Sequence, residues 1–146
     1  MNKIDFVNNG QPAINDTNLN QMQTNIENAI NAIIVESGSN ANGSYIKWSD
    51  GTMICTKRVS LSDIPLTATW GVLYDSGSTN IDLGNYAQSF VGENPILSLQ
   101  VASANGCWVE GIYDNSLSHI AKIVLCSGTS KTVSILLDII AIGRWK

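Results

Sequence analysis

Charge is scarce in this chain. Asp, Glu, Lys and Arg make up 14% of its 146 residues, against about 25% in typical soluble domains. The net charge is −4, and no basic cluster exceeds Lys57-Arg58. The electrostatic footprint of a nucleic-acid binder is therefore missing. Long apolar runs are missing too. Val133 to Ile142 is interrupted by Ser134 and Asp138, and it is about half of the ~20 residues that span a bilayer. No membrane insertion is expected. Met1 to Phe6 lacks the apolar run of a signal peptide, so synthesis and assembly in a cytoplasm are expected.

Catalytic and metal-binding residues are equally sparse. His119 is the one histidine, and Cys55, Cys107 and Cys126 are the three cysteines. Their spacing fits no metal site, and no cofactor is expected. Without a secretion signal, the cysteines read as buried reduced thiols rather than a disulfide framework. No G-x-S-x-G elbow accompanies the histidine. Carboxylates do occur in the less regular parts, at Asp75, Asp82, Glu93, Glu110 and Asp114. A suitably spaced pair would suit glycoside cleavage, but spacing in sequence measures no distance. The reading is a noncatalytic protein.

Amides and hydroxyls supply the polarity instead. Asn and Ser each occur sixteen times, and these residues favour caps, turns and strand edges. Residues 1–14 read as an extended lead-in broken by Asn8-Asn9-Gly10 and Pro12. From Asn15 to Val35 the chain reads as an amphipathic helix capped by Asn15 or Asp16. Its apolar positions step Leu19, Met22, Ile26, Ala29, Ile33, a 3-4-3-4 seam widened by Ile30 and Ile34. That spacing fits an oligomeric stem or a lone helix packed on its own head. It does not choose between dimer and trimer. Ser37 to Ser44 reads as a flexible hinge.

Beyond Tyr45 the pattern is β. Asp50-Gly51 separates two alternating runs, the signal of a two-residue hairpin turn. That register places Trp48 opposite Met53 and Ile46 opposite Cys55, all four on one apolar face. Leu97, Leu99 and Val101 alternate with Ser98 and Gln100. Trp108 and Ile112 flank Glu110 on one side of a strand from Cys107 to Tyr113. Ile123 and Leu125 oppose Lys122, Val124 and Cys126. The last strand, Lys131 to Trp145, is apolar on both faces through Ile135 to Ile142, so it is central in a sheet or covered by another subunit. Asp138 within it needs a partner, with Arg144 or a neighbouring subunit's base as candidates. Shorter strands are expected near Thr69 to Tyr74 and Asn80 to Leu83, then a long loop through Glu93. The fold class is mainly β: an antiparallel β-sandwich or jelly-roll-like head preceded by a short amphipathic α-helical stem.

Two stretches resemble a known family. Pro12 to Asn20, running into the helix, resembles a segment of phage and prophage tail and baseplate proteins of Gram-positive bacteria. Gly43 to Cys55, with Ala141-Ile142-Gly143-Arg144-Trp145-Lys146, resembles the opening hairpin and closing strand of the carboxy-terminal head of tail fibres and receptor-binding proteins. Residues 60–130 have no counterpart in this resemblance. It implies a homotrimer with its interface at Leu19, Met22, Ile26, Ala29 and Ile33. It also implies a place in the virion beside other tail or baseplate proteins, and adhesion to a host cell-wall or surface polysaccharide. It carries over no catalytic residue. The expected organisation is a lead-in and trimerisation stem over 1–36, a hinge over 37–44 and a head over 45–146.

Sugar rings pack on aromatic faces, and binding residues concentrate on loops. The candidate ligand contacts are therefore Trp70, Tyr74, Tyr86, Trp108 and His119, with plain packing as the alternative for each. Two rival functions remain: a structural virion component without a ligand, such as a head fibre or baseplate spacer, and a polysaccharide-degrading tail tip.

Overall fold

A computed structural model describes residues 16–31, 33–77, 81–103 and 106–146. The expected lead-in and the Asn15 cap lie outside these residues. The chain divides into two compact units, 1–33 and 34–146.

The first unit holds α1, Asp16–Asn31. Amide side chains a turn apart support it: Gln21 Nε2 donates to Asn25 Oδ1 at 3.1 Å, and Gln23 Nε2 to Glu27 Oε1 at 2.9 Å. Such pairs add a few tenths of a kcal/mol each. Leu19, Met22, Ile26 and Ile30 on the helix, and Ile33 just beyond it, are each about half exposed in the single chain. The helix ends before the expected Val35, because Ile33-Ile34-Val35 is a β-branched run that favours extended backbone. Among the described residues no helix is long and apolar enough to cross a membrane.

The second unit is an antiparallel β-sandwich. Its strands are β1 (Ile34–Asn40), β2 (Gly43–Trp48), β3 (Thr52–Leu66), β4 (Ala68–Trp70), β5 (Leu73–Asp75), β6 (Ile81–Asp82), β7 (Val91–Val101), β8 (Cys107–Tyr113), β9 (Lys122–Ser127) and β10 (Lys131–Arg144). One sheet has the order β1-β2-β3-β10-β7. In the other, β9 pairs with β5, β6 and β8, and β4 lies beyond β5. Met53, Cys55, Leu137 and Ile139 from the first sheet meet Ile81, Ile123 and Leu125 from the second in one buried cluster. Strand β10 is central, between β3 and β7.

Three expectations need correction. Residues 37–44 are no hinge: Ser39 pairs with Ser44 and Asn40 with Gly43, in a tight β1–β2 hairpin. Asn40 shapes that turn by accepting from Asn42 N at 2.8 Å, and its amide donates to Ala87 O at 2.8 Å. Small polar residues here serve a turn rather than a linker.

The β2–β3 register is shifted by one residue. Lys47 pairs with Met53, Ile46 with Ile54 and Tyr45 with Cys55. The turn has three residues, Ser49-Asp50-Gly51, closed by Gly51 N donating to Trp48 O at 3.0 Å. The Asp50 carboxylate accepts from Thr52 N at 2.7 Å, and Gly51 takes φ 93°. A shift of one residue turns every side chain to the other face. Tyr45 and Lys47 therefore join Met53 and Cys55 on the inner side, while Ile46 and Ile54 face outward.

Asp138 pairs with neither expected base. Its cross-strand neighbour is Arg58, which grips it with two hydrogen bonds of 2.6 and 2.8 Å. Arg144 instead donates to Asp50 O at 2.7 Å.

Candidate functional site

The two parts of the head that carry the resemblance, the opening hairpin and the closing strand, lie almost a hundred residues apart and close on each other. Trp145 Nε1 donates to Trp48 O at 2.9 Å, and Trp145 N to Gly51 O at 3.0 Å. The Lys47 ammonium lies 5.4 Å from the Trp145 ring centre and 5.2 Å from that of Tyr45. Lys47 is buried and bonds Glu36 Oε2 at 2.7 Å, while Tyr45 Oη donates to Glu36 Oε1 at 2.6 Å. Lys47 first, then Tyr45, holds the Glu36 carboxyl below its ordinary 4.5. This clasp is structural, and it ties Trp145, just past β10, to the β2–β3 turn.

A carboxylate held low stabilises the fold above its ordinary range, and the gain disappears as pH falls through its folded value. Asp50, Asp82 and Asp138 are also held below 3.8. Thermal midpoints are thus expected to be level above about pH 5 and to fall steadily below 4.5. Glu36→Gln should flatten part of that acid slope. Parallel melting curves of both proteins over pH 3 to 7 check this, and identical slopes count against the Glu36 assignment.

The outward face of the second sheet presents the exposed aromatics. Strand β8 carries a bulge at Glu110: Val109 pairs with Leu125, but Gly111 pairs with Val124. The extra residue resets the alternation. Trp108, Gly111 and Tyr113 therefore share the outward face with Lys122, Val124 and Cys126, while Ile112 pairs with inward Ile123. This corrects the expected sharing of a side by Trp108 and Ile112. Trp108 is 43% exposed and Tyr113 45%. The Tyr113 ring lies over Gly111, where an added Cβ would stand 2.6 Å from its hydroxyl. Pairing also puts Asp75 beside Cys126 and Asp82 beside Lys122 on this face.

The end near Tyr113 is polar. His119 Nε2 stands 3.0 Å from Asp82 Oδ1, and Lys122 Nζ 3.1 Å from Asp114 Oδ2. The Gly84 backbone N–H holds the Asp82 carboxyl low, with His119 and Lys122 adding to it. The His119 backbone N donates to Ser116 Oγ at 3.1 Å. The face thus offers two aromatic surfaces and several fixed hydrogen-bonding groups, spread over roughly 13 Å of strand.

The other expected contacts scatter. Trp70 stands exposed at the β4–β5 hairpin, with Gly71-Val72 at its tip. Tyr74 is half-buried opposite Ser127. Tyr86 belongs to the core: its ring meets Phe90 edge-on at 5.0 Å, and its hydroxyl donates to Asn115 Oδ1 at 2.6 Å. Burial pushes its pKa up to about 12. A loop-rich sequence does not keep a ring on the surface. Tyr113 joined the face through the bulge, and Asp82 joined it by pairing with Lys122; no residue pattern announces either. Cys55 and Cys126 are buried free thiols, and Cys107 is half-buried. Burial raises the pKa of all three, so they are poor nucleophiles. Among the described residues, no group of three or more His, Cys, Asp or Glu is placed to hold a metal ion.

No protein-family model matches the sequence, and no curated protein matches it. Among solved structures, the chain is similar to a P. aeruginosa R1 pyocin fiber comprising C-terminal residues 323–701. The two are 16% identical with a TM-score of 0.46, over 99% of this chain and 40% of that one. The chain spans less than half of that fibre structure's length.

Proposed function

We propose that this chain is a phage or prophage tail-fibre or baseplate receptor-binding protein. In this reading it assembles as a homotrimer along the α1 seam, is carried in the virion, and adheres to a host-surface saccharide without cleaving it. The observation that carries the reading is the clasp. The hairpin and the closing strand that bear the resemblance, distant in sequence, form one structural unit around Trp145. The half-exposed stripe of α1 supports the oligomer, since a short Asn-rich helix gains most of its stability from packing. Three weak sites on one rigid head would gain avidity from effective concentration.

The ligand face in this proposal is the outward side of the second sheet, with Trp108 and Tyr113 as platforms. On an array of bacterial surface glycans, wild-type protein is expected to bind a subset. Trp108→Ala and Tyr113→Ala should each weaken that binding about tenfold or more, the scale of losing one aromatic contact. Both are half-exposed, so the variants should keep the wild-type β-sheet spectrum. Wild-type affinity in both would remove this face as the site. Sugar fragments released from purified cell wall by wild-type protein would replace adhesion with degradation.

A further inference from the structure

The outward face of the second sheet is built in two rows. In one, Trp108 pairs with Cys126 and Cys126 with Asp75; in the other, Tyr113 pairs with Lys122 and Lys122 with Asp82. Each row runs from an exposed ring on β8, across β9, to a carboxylate on the next strand, roughly 10 Å away. Val124 and Cys126, in the middle of the face, are buried. The rings and the charged groups are therefore what a ligand meets. Glu110, the bulge residue, is exposed. Burial, then the charges of Glu110 and Asp75, pushes the Cys126 thiol up, so both carboxylates bear on the Trp108 end.

We infer that the saccharide this face takes is an uncharged, hydroxyl-rich chain, with no phosphate or carboxylate on the units that touch it. The inference rests on the adhesive reading proposed above and names its class of ligand. Charge selects that class. The face and its polar end carry the carboxylates of Asp75, Asp82, Glu110 and Asp114 against the ammonium of Lys122 and the imidazole of His119. Lys122 is engaged by Asp114 at 3.1 Å, and His119 by Asp82 at 3.0 Å. Lys131, at the Trp108 end, donates to Gly106 O at 2.9 Å. The balance is negative. A phosphate or carboxylate on a sugar stacked on either ring stands within about one Debye length of these groups, ~10 Å at 0.1 M salt, and is repelled. Hydroxyls gain instead. An ionised carboxylate only accepts hydrogen bonds, a sugar hydroxyl donates, and charge-assisted bonds are the stronger kind. The Gly84 N–H, with His119 and Lys122 adding to it, keeps Asp82 ionised, and Gly77 N fixes Asp75 Oδ1 at 2.7 Å. Spacing adds length. The two rings stand roughly 13 Å apart along the strands, more than one sugar ring spans, so the ligand is a chain of units rather than a single terminal sugar.

The test uses the full chain on an array that holds uncharged glycans beside phosphate-bearing and uronate-bearing ones, read at low and high salt. Wild-type protein is expected to bind uncharged glycans, with an affinity that changes less than about twofold between the two salts. Trp108→Ala and Tyr113→Ala should each weaken that binding roughly tenfold. Hits confined to charged glycans, or a steep fall of affinity with salt, overturn the inference and leave the adhesive face standing if the two variants are impaired. Binding that neither variant alters removes the face and the inference with it, as does the absence of any hit. Should both variants unfold, Trp108→Phe keeps a ring in place. The change in tryptophan emission that the bound glycan causes in wild type is then expected to vanish, and its persistence removes the face.

Discussion

Trp145→Ala is expected to lower the stability of the head by roughly 3 kcal/mol, a midpoint shift of about 10 °C for a unit of this size. The indole packs against the buried cluster, donates to Trp48 O and faces the buried Lys47 ammonium. Removing it exposes core edge, leaves the Trp48 carbonyl with only its Gly51 N donor and strips Lys47 of one ring. Trp145→Phe separates these effects. It keeps most of the packing and loses the N–H donor, so about 1 kcal/mol is expected. Thermal and urea unfolding of the full chain, followed by circular dichroism, give both values. A loss under 0.5 kcal/mol for the alanine variant would mean that the clasp contributes nothing.

Gly43→Ala is expected to cost about 3 kcal/mol or more. Gly43 sits in the β1–β2 turn at φ 118°, a backbone state that side chains rarely adopt. A Cβ there would also press into the carbonyl oxygen of Thr56, and a ladder carbonyl cannot swing aside. Gly51 offers the contrast. Its φ of 93° is also positive, but its added Cβ would meet the far end of the flexible Arg144 side chain. Gly51→Ala should therefore cost less, about 1–2 kcal/mol for the backbone state alone. Unfolding curves of the two variants, compared with wild type, check the order. Equal costs would show that the Thr56 contact relaxes freely.

Legibility varied with the kind of signal. The helix was visible because Leu19, Met22 and Ile26 repeat at helical spacing. Strand β10 was visible as a strand apolar on both faces, and it is central. The hairpin at Asp50-Gly51 was visible, but its register was not. The turn has three residues, closed by Gly51 N on Trp48 O and by Thr52 on the Asp50 carboxylate. That one extra turn residue reversed the expected faces of Tyr45, Ile46, Lys47 and Trp48. The Glu110 bulge separated Ile112 from the side of Trp108 where it was expected. The Ser- and Asn-rich segment over 37–44 read as a linker because composition does not distinguish a hinge from a tight hairpin.

By itself the sequence determined the class: a low-charge, mainly β head with an amphipathic helix before it. Those follow from composition and from period, which are local. Tertiary structure alone decided which side of each strand is buried, that Trp145 returns to Trp48, that Tyr86 is core, and that Trp108 and Tyr113 share one face with Asp82 and Lys122. The physical reason is that side chains alternate with a period of two along a strand. One turn residue or one bulge shifts that phase, and its effect is read only through the strand on the other side of the pairing.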